Sequence, residues 1–239
     1  MKHVLRHFAA EFIGTFAIVF VGSMSLMMAN GTGAPASVAM LVVALAVGLV
    51  TAVMVTSTMR VGGHLNPAVT LAFMVARRIE AYMAGVYVAA QLLGAIAAAF
   101  VAKMVVPIAL YTGARGGGQV VSLDVSFGQA VTVELVATFI VVWVVFATAV
   151  DSKAPRVGGL AIGFAMTAGI LAIGPLTGGS LNPARAIGPA VASGSFEGQV
   201  VFWTGPLVGG LLAGLLYDQL FLRRSPTPEP VDHGAIDPV

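Results

Sequence analysis

Six apolar runs of about 20 residues, near 8–28, 37–58, 80–105, 128–150, 157–176 and 199–222, constrain this chain more than any other feature of its sequence. A helix rises about 1.5 Å per residue, so each run is long enough to cross roughly 30 Å of hydrocarbon. Gly, Pro, Asn and charged clusters bound the runs. With 58% of residues hydrophobic, 9% charged and a mean hydropathy of +0.97, the chain has too little polar surface to cover a water-soluble globule. The first run is not a secretory signal, although Met1–His7 is basic. It continues to about Met28, carries Glu11 and has no clear small-residue cleavage pattern.

Two shorter apolar stretches, about 67–76 and 183–192, cannot cross a bilayer, and each begins at the Pro of an Asn-Pro-Ala triplet. They read as re-entrant segments. The chain also repeats itself: Ala10–Phe16 is echoed by Val133–Phe139, and Gly62–Ala68 by Gly178–Ala184. Each half, 1–106 and 128–222, then holds three spans and one short segment, with an extracellular connection at 107–127 and a tail at 223–239. Because three is odd, the second half enters the membrane inverted. The expected fold is an all-α membrane protein of six transmembrane helices and two re-entrant half-helices. With the N-terminus taken as cytoplasmic, Lys2, Arg6, Arg60, Arg77, Arg78, Lys153, Arg156, Arg223 and Arg224 fall on the cytoplasmic side, and Lys103, Arg115 and Arg185 do not. That bias orients both termini inside the cell. The 107–127 connection, which contains Gly113–Gly118, lacks the ending of a phosphate-binding loop and reads as a flexible linker, and the segment from Ser225 as a disordered cytoplasmic extension.

Non-helical backbone at membrane depth is tolerated where protein buries it or where it lines water, so a re-entrant pair argues for an aqueous path. In each copy the Asn, Asn66 or Asn182, sits at an N-cap, and Pro67 or Pro183 at the first helical position, where no amide hydrogen is missed. If the two N-termini meet, their dipoles repel cations, and the two Asn amides donate to a water that then cannot relay a proton. The loops at 61–65 and 177–181 each hold a Gly-Gly pair that lets carbonyls turn towards the path. Arg185 is costly at membrane depth and is expected to line the pore. Glu11 and Glu134 occupy matching positions. They read as acceptors for their own re-entrant loops, with a proton-relay role as the alternative. His64 reads as a hydrogen-bonded loop histidine, with a gate or pH sensor as the alternative. Gln91 is expected to bond between helices, and Gly205, Gly209 and Ala213, with Gly210 and Gly214, to permit close helix packing.

The paired boxes His64-Leu65-Asn66-Pro67-Ala68-Val69-Thr70 and Asn182-Pro183-Ala184-Arg185, together with the repeated glutamate, are highly specific. Over about 1–222 the chain resembles the aquaporin, or major intrinsic protein, family. The resemblance implies a homotetramer with one pore per subunit, and a central constriction at Asn66, Pro67, Ala68, Asn182, Pro183 and Ala184. It also implies an outer selectivity filter of Arg185, Ile170 and Gly179 with Val47 or Ala46. Water channels of the family carry a bulky aromatic and a His in that filter, and their absence here suits glycerol, urea or undissociated metalloid acids as well as water. Ala186 and Ala190 depart from the Asp and Lys of glycerol facilitators, and Phe202 and Trp203 resemble the water-channel pattern.

The reading is therefore a passive channel for water and small neutral solutes in the plasma membrane, in contact with lipid and needing no cofactor. An ion-coupled transporter would have only Glu11 and Glu134 as candidate ion ligands in the membrane. An embedded enzyme lacks a nucleophile or metal cluster: there is no cysteine, and His64 is the one histidine in the membrane region. Basic residues sit at segment ends, so nucleic acid is not an expected partner.

Overall fold

The computed structural model describes residues 1–154 and 157–222. The expected tail from Ser225, and Arg156, Arg223 and Arg224 of the orientation count, lie outside them. Helices α1 (Lys2–Gly31), α2 (Ala36–Thr58) and α4 (Ala81–Val105) are the long helices of the first half, and α3 (Pro67–Val75) is its short one. After α5 (Ile108–Gly113) come α6 (Phe127–Val145), α7 (Leu160–Thr177), the short α8 (Pro183–Ser193) and α9 (Gln199–Tyr217). Helices α6 and α9 each continue through a π-helical turn, Phe146–Val150 and Asp218–Leu222. Among the described residues, six helices are long and apolar enough to cross a membrane.

Two boundaries differ from the apolar runs for physical reasons. Helix α1 begins at Lys2, six residues before the run, because the run measures hydrocarbon while the helix continues into polar surroundings. Helix α7 begins at Leu160 because Gly158 is left-handed (φ 57°) and the Gly159 amide donates to Thr56 Oγ1 at 2.8 Å.

The packing is duplicated. Helix α1 lies against α4 and α2, as α6 lies against α9 and α7, and α2 meets α7 between the halves. The half-helices are exchanged: α3 packs chiefly on α9 and α8 chiefly on α4, each the last long helix of the opposite half. Small residues permit this. A β-carbon on Gly210 would stand 2.7 Å from the Ala68 carbonyl oxygen, and one on Gly214 2.8 Å from Ala72 Cβ, so the glycine stripe of α9 is the seat of α3. Gly205 and Gly209 face α6 instead.

The distribution of polarity is that of a bilayer protein. Leu45, Leu49, Val53, Val136, Ile140 and Phe164 are exposed on the outside, while Glu11, Glu134, Gln91, Asn66, Asn182 and Arg185 are buried.

The 107–127 connection departs from the flexible-linker expectation. It carries α5 and a 3₁₀ turn at Arg115–Gly117, Tyr111 is buried against Met27 and Ala102, and the Ser122 amide donates to the Leu176 carbonyl at 2.8 Å. Gly117, at φ 82°, lies so close to Ser23 that a β-carbon would meet its backbone. The glycines serve a tight approach to α1, where composition alone suggested mobility.

Candidate functional site

Each half-helix starts in the same way. Asn66 and Asn182 are extended N-caps followed by proline. Asn66 Oδ1 accepts from the Ala68 amide at 2.9 Å, and Asn182 Oδ1 from the Ala184 and Arg185 amides at 3.0 and 3.4 Å. The residue before each, Leu65 (φ 52°) or Leu181 (φ 56°), is left-handed, a conformation that costs a leucine about 1–2 kcal/mol. Such backbone persists only when its surroundings over-determine it.

The glutamates supply that determination. Glu11 Oε1 accepts from the Gly63 and His64 amides at 2.7 and 2.9 Å, and Oε2 from the Leu65 amide and Gln91 Nε2, both at 2.7 Å. Glu134 Oε1 accepts from Thr177 Oγ1 at 2.7 Å and the Ser180 amide at 2.8 Å, and Oε2 from the Leu181 amide at 2.8 Å. Each carboxylate, itself fully buried, thus satisfies the amides of one re-entrant loop. Their hydrogen bonds run to their own re-entrant loops and, for Glu11, to Gln91.

The two loops are also tied to each other. Asn66 Nδ2 donates to the Leu181 carbonyl at 2.8 Å, and Asn182 Nδ2 to the Leu65 carbonyl at 2.9 Å. An amide NH₂ has two hydrogens, so each Asn keeps one that these bonds do not use. Sequence reasoning directed both amides at the path and did not foresee this reciprocal tie. The positive ends of α3 and α8 are thereby held facing each other between the halves.

Arg185 is buried, and its Nη1 donates to the Gly179 carbonyl and, at 3.1 Å, to the Ser180 carbonyl. Gly179 packs on Ile170, where a β-carbon would stand 3.0 Å from Ile170 Cα. A β-carbon on Gly22 of α1 would stand 2.9 Å from Val47 Cγ2 and 3.8 Å from Arg185 Nε, so Val47 and the guanidinium approach the same point of α1. Val47 is fully buried and Ala46 only partly, so of the two candidates from α2 it is Val47 that turns inward. Arg185 is thus joined to Gly179 and Gly179 to Ile170, while Val47 meets Arg185 through Gly22. Several carbonyls expected to serve a permeant already accept a bond, those of Leu65, Leu181, Gly179 and Ser180 among them, though a carbonyl oxygen has a second lone pair.

His64 Nδ1 lies 3.2 Å from Thr70 Oγ1, and its ring is tilted against Phe73 and edge-on to Tyr87, with centroids 4.1 and 4.9 Å apart. Thr70, one turn into α3, also accepts from Gln91 Nε2 at 2.9 Å, and Thr177 reinforces Glu134. Sequence reasoning assigned no role to Thr70 or Thr177. The available signal was a hydroxyl one helical turn after Asn66 and another at the start of the second loop.

One cavity is lined by the Asn pair and another by Arg185. The first, about 20 Å³, is lined by Asn66, Asn182 and His64, with Ile18, Val141 and Ile162 among its apolar residues. That room corresponds to one or two waters. The other, about 190 Å³, is lined by Arg185 with Gln119, Gly178, Met40 and Val43.

The described residues hold no group of three or more His, Cys, Asp or Glu able to bind a metal. Residues 1–217 match the family model described as Major intrinsic protein. The chain is 46% identical over 221 residues to the lens fiber major intrinsic protein of Lithobates pipiens, covering 90% of this chain and 81% of that one. It is 42% identical over 233 residues to aquaporin TIP2-1 of Arabidopsis thaliana, covering 92% and 89%. Among solved structures, the aquaglyceroporin from Plasmodium falciparum superposes with a TM-score of 0.74 at 26% identity, covering 91% of this chain and 96% of that one. With the aquaporin fold, six helices able to cross a membrane and likeness to these proteins over 90% or more of its length, the chain belongs to the major intrinsic protein family of membrane channels.

Proposed function

We propose that the chain is a passive channel for water and small uncharged solutes that excludes ions and protons. The observation that carries this reading is the reciprocal pair of bonds from Asn66 to the Leu181 carbonyl and from Asn182 to the Leu65 carbonyl. It opposes two helix N-termini, each worth about half a positive elementary charge, at one narrow point. A cation meets that field unfavourably. A water that accepts from both remaining Asn hydrogens has its own hydrogens directed away from the constriction, which breaks a proton relay. Pro67, Ala68, Pro183 and Ala184 then form the walls of the constriction, and Val47, Ile170, Gly179 and Arg185 the selectivity filter.

A second reading, a facilitator of glycerol, urea or metalloid acids with water secondary, draws on the aliphatic partners of Arg185: Val47 and Ile170 offer no hydrogen bond, and Gly179 no side chain. In either case the chain works as a homotetramer in the plasma membrane with both termini in the cytoplasm, each subunit carrying its own pore, and performs no chemical conversion.

The test is osmotic shock of liposomes containing the purified protein, followed by light scattering. Fast shrinkage in sucrose supports the channel, and reswelling in glycerol or urea supports the broader permeant range. Shrinkage no faster than in empty liposomes, with the protein shown to be folded and inserted, would sink both readings. Native mass measurement should give four 24.3 kDa chains per complex.

A further inference from the structure

Among the described residues, one cluster of charge is used neither by the proposed pore nor by an ion pair. A concave pocket of about 300 Å³ is lined by Lys2, His3, Arg6 and His7 on the first two turns of α1, and by Arg60 and Val61 from the loop that leads into α3. No carboxylate lines it, and the ion pairs among the described residues, Arg78–Asp218 and Arg115–Glu197, lie elsewhere.

This arrangement is electrostatically unfavourable in three ways at once. The first turn of α1 has no acidic residue and no side-chain cap, so its amides and the positive end of its dipole are uncompensated. Lys2 and Arg6 add like charge to that same end, where basic residues oppose the dipole. Arg60, from a segment more than 50 residues away, brings a third cation to the same pocket. The orientation of helices in a membrane requires basic residues on one side, but it does not require three of them, two histidines and a helix N-terminus to converge on one cavity.

We infer that this pocket binds a phosphate group, either that of an anionic lipid headgroup or a free phosphate in solution. An anion seated there accepts from the guanidinium groups of Arg6 and Arg60, from Lys2 and from the open amides of α1. It also fastens the N-terminus of α1 to the loop that carries His64 and Asn66. Val61 is already joined to that framework, since its carbonyl accepts from Tyr87 Oη at 3.4 Å and Tyr87 in turn bonds His7.

The test compares three proteins in neutral detergent: wild type, Arg6→Gln/Arg60→Gln, and a control that removes equal charge elsewhere, Arg77→Gln/Lys153→Gln. Each is titrated with phosphatidylglycerol, phosphatidylcholine and inorganic phosphate, and bound adducts are counted by native mass spectrometry. Wild type should retain phosphatidylglycerol, inorganic phosphate or both in preference to phosphatidylcholine. A surface cation contributes about 1 kcal/mol towards an anionic lipid, so the pocket variant should bind roughly thirtyfold more weakly and the control nearly as wild type. Preference for phosphatidylglycerol identifies a lipid ligand, and binding of inorganic phosphate alone identifies a soluble one. Equal losses in both variants, or no preference over phosphatidylcholine together with no phosphate binding, overturn the site. Osmotic water flux, which involves none of these residues, should stay intact in all three and verifies that each is folded.

Discussion

Replacing Glu134 by glutamine tests whether a buried carboxylate holds a re-entrant loop or carries protons. The carboxylate accepts from Thr177 Oγ1, the Ser180 amide and the Leu181 amide, all at 2.7–2.8 Å. Glutamine has nearly the same shape but only one acceptor oxygen, so in either orientation of its amide one backbone N–H of the loop faces another donor. The loss is one charge-assisted bond, worth about 1.5–3 kcal/mol, together with an orphaned buried amide costing about 1–3 kcal/mol. A net destabilisation of about 3–5 kcal/mol lowers the unfolding midpoint by about 10 °C for a chain of this size. The left-handed Leu181 then has less to hold it, and its carbonyl, the acceptor for Asn66, moves with it. Thermal unfolding in detergent and osmotic flux in liposomes should therefore fall together. Glu11→Gln should behave alike, because Glu11 accepts three backbone amides and Gln91. A Glu134→Gln protein with wild-type midpoint and flux would refute the loop-holding argument. A stable variant that lost only gradient-driven uptake would point to a proton relay.

Arg185→Val removes the buried donor to the Gly179 and Ser180 carbonyls and its charge, and should speed glycerol and urea uptake several-fold while changing water flux less. Unaltered solute selectivity in liposomes would remove Arg185 from the filter. Asn182→Asp keeps acceptors for the Ala184 and Arg185 amides but deletes the donor to the Leu65 carbonyl and sets a negative charge against two helix N-termini, so a cation or proton leak should appear in a planar bilayer. Gly210→Ala puts a methyl 2.7 Å from the Ala68 carbonyl and should cost about 1–3 kcal/mol with loss of flux, measured by thermal unfolding and light scattering. Gly85→Ala, on exposed α4 with nothing within 4 Å, should be neutral or slightly stabilising in the same assays.

What the sequence discloses here follows from how local each feature is. The six long helices and the starts of α3 and α8 depend on nearby residues, apolar runs in one case and Asn-Pro in the other, and so they are legible without any tertiary knowledge. Glu11 and Glu134 become legible through duplication, because two buried acids at matching positions need a common partner and each half contains one re-entrant loop to supply it. Other features depend on which surfaces meet. Nothing in Gly210 or Gly214 tells that they receive α3 from the opposite half, since a small residue permits close approach without naming the neighbour. The same ambiguity produced the flexible-linker expectation for 107–127: Gly117 looks mobile in isolation, but packed against Ser23 it is the residue that lets the connection lie down on α1. The reciprocal bonds from Asn66 and Asn182 span more than 110 residues, and only the exchange of half-helices brings them about. That exchange ties the constriction to the assembly of the halves, so neither half alone can form it, and substitutions at the α3–α9 or α8–α4 contacts should impair permeation without touching a pore residue.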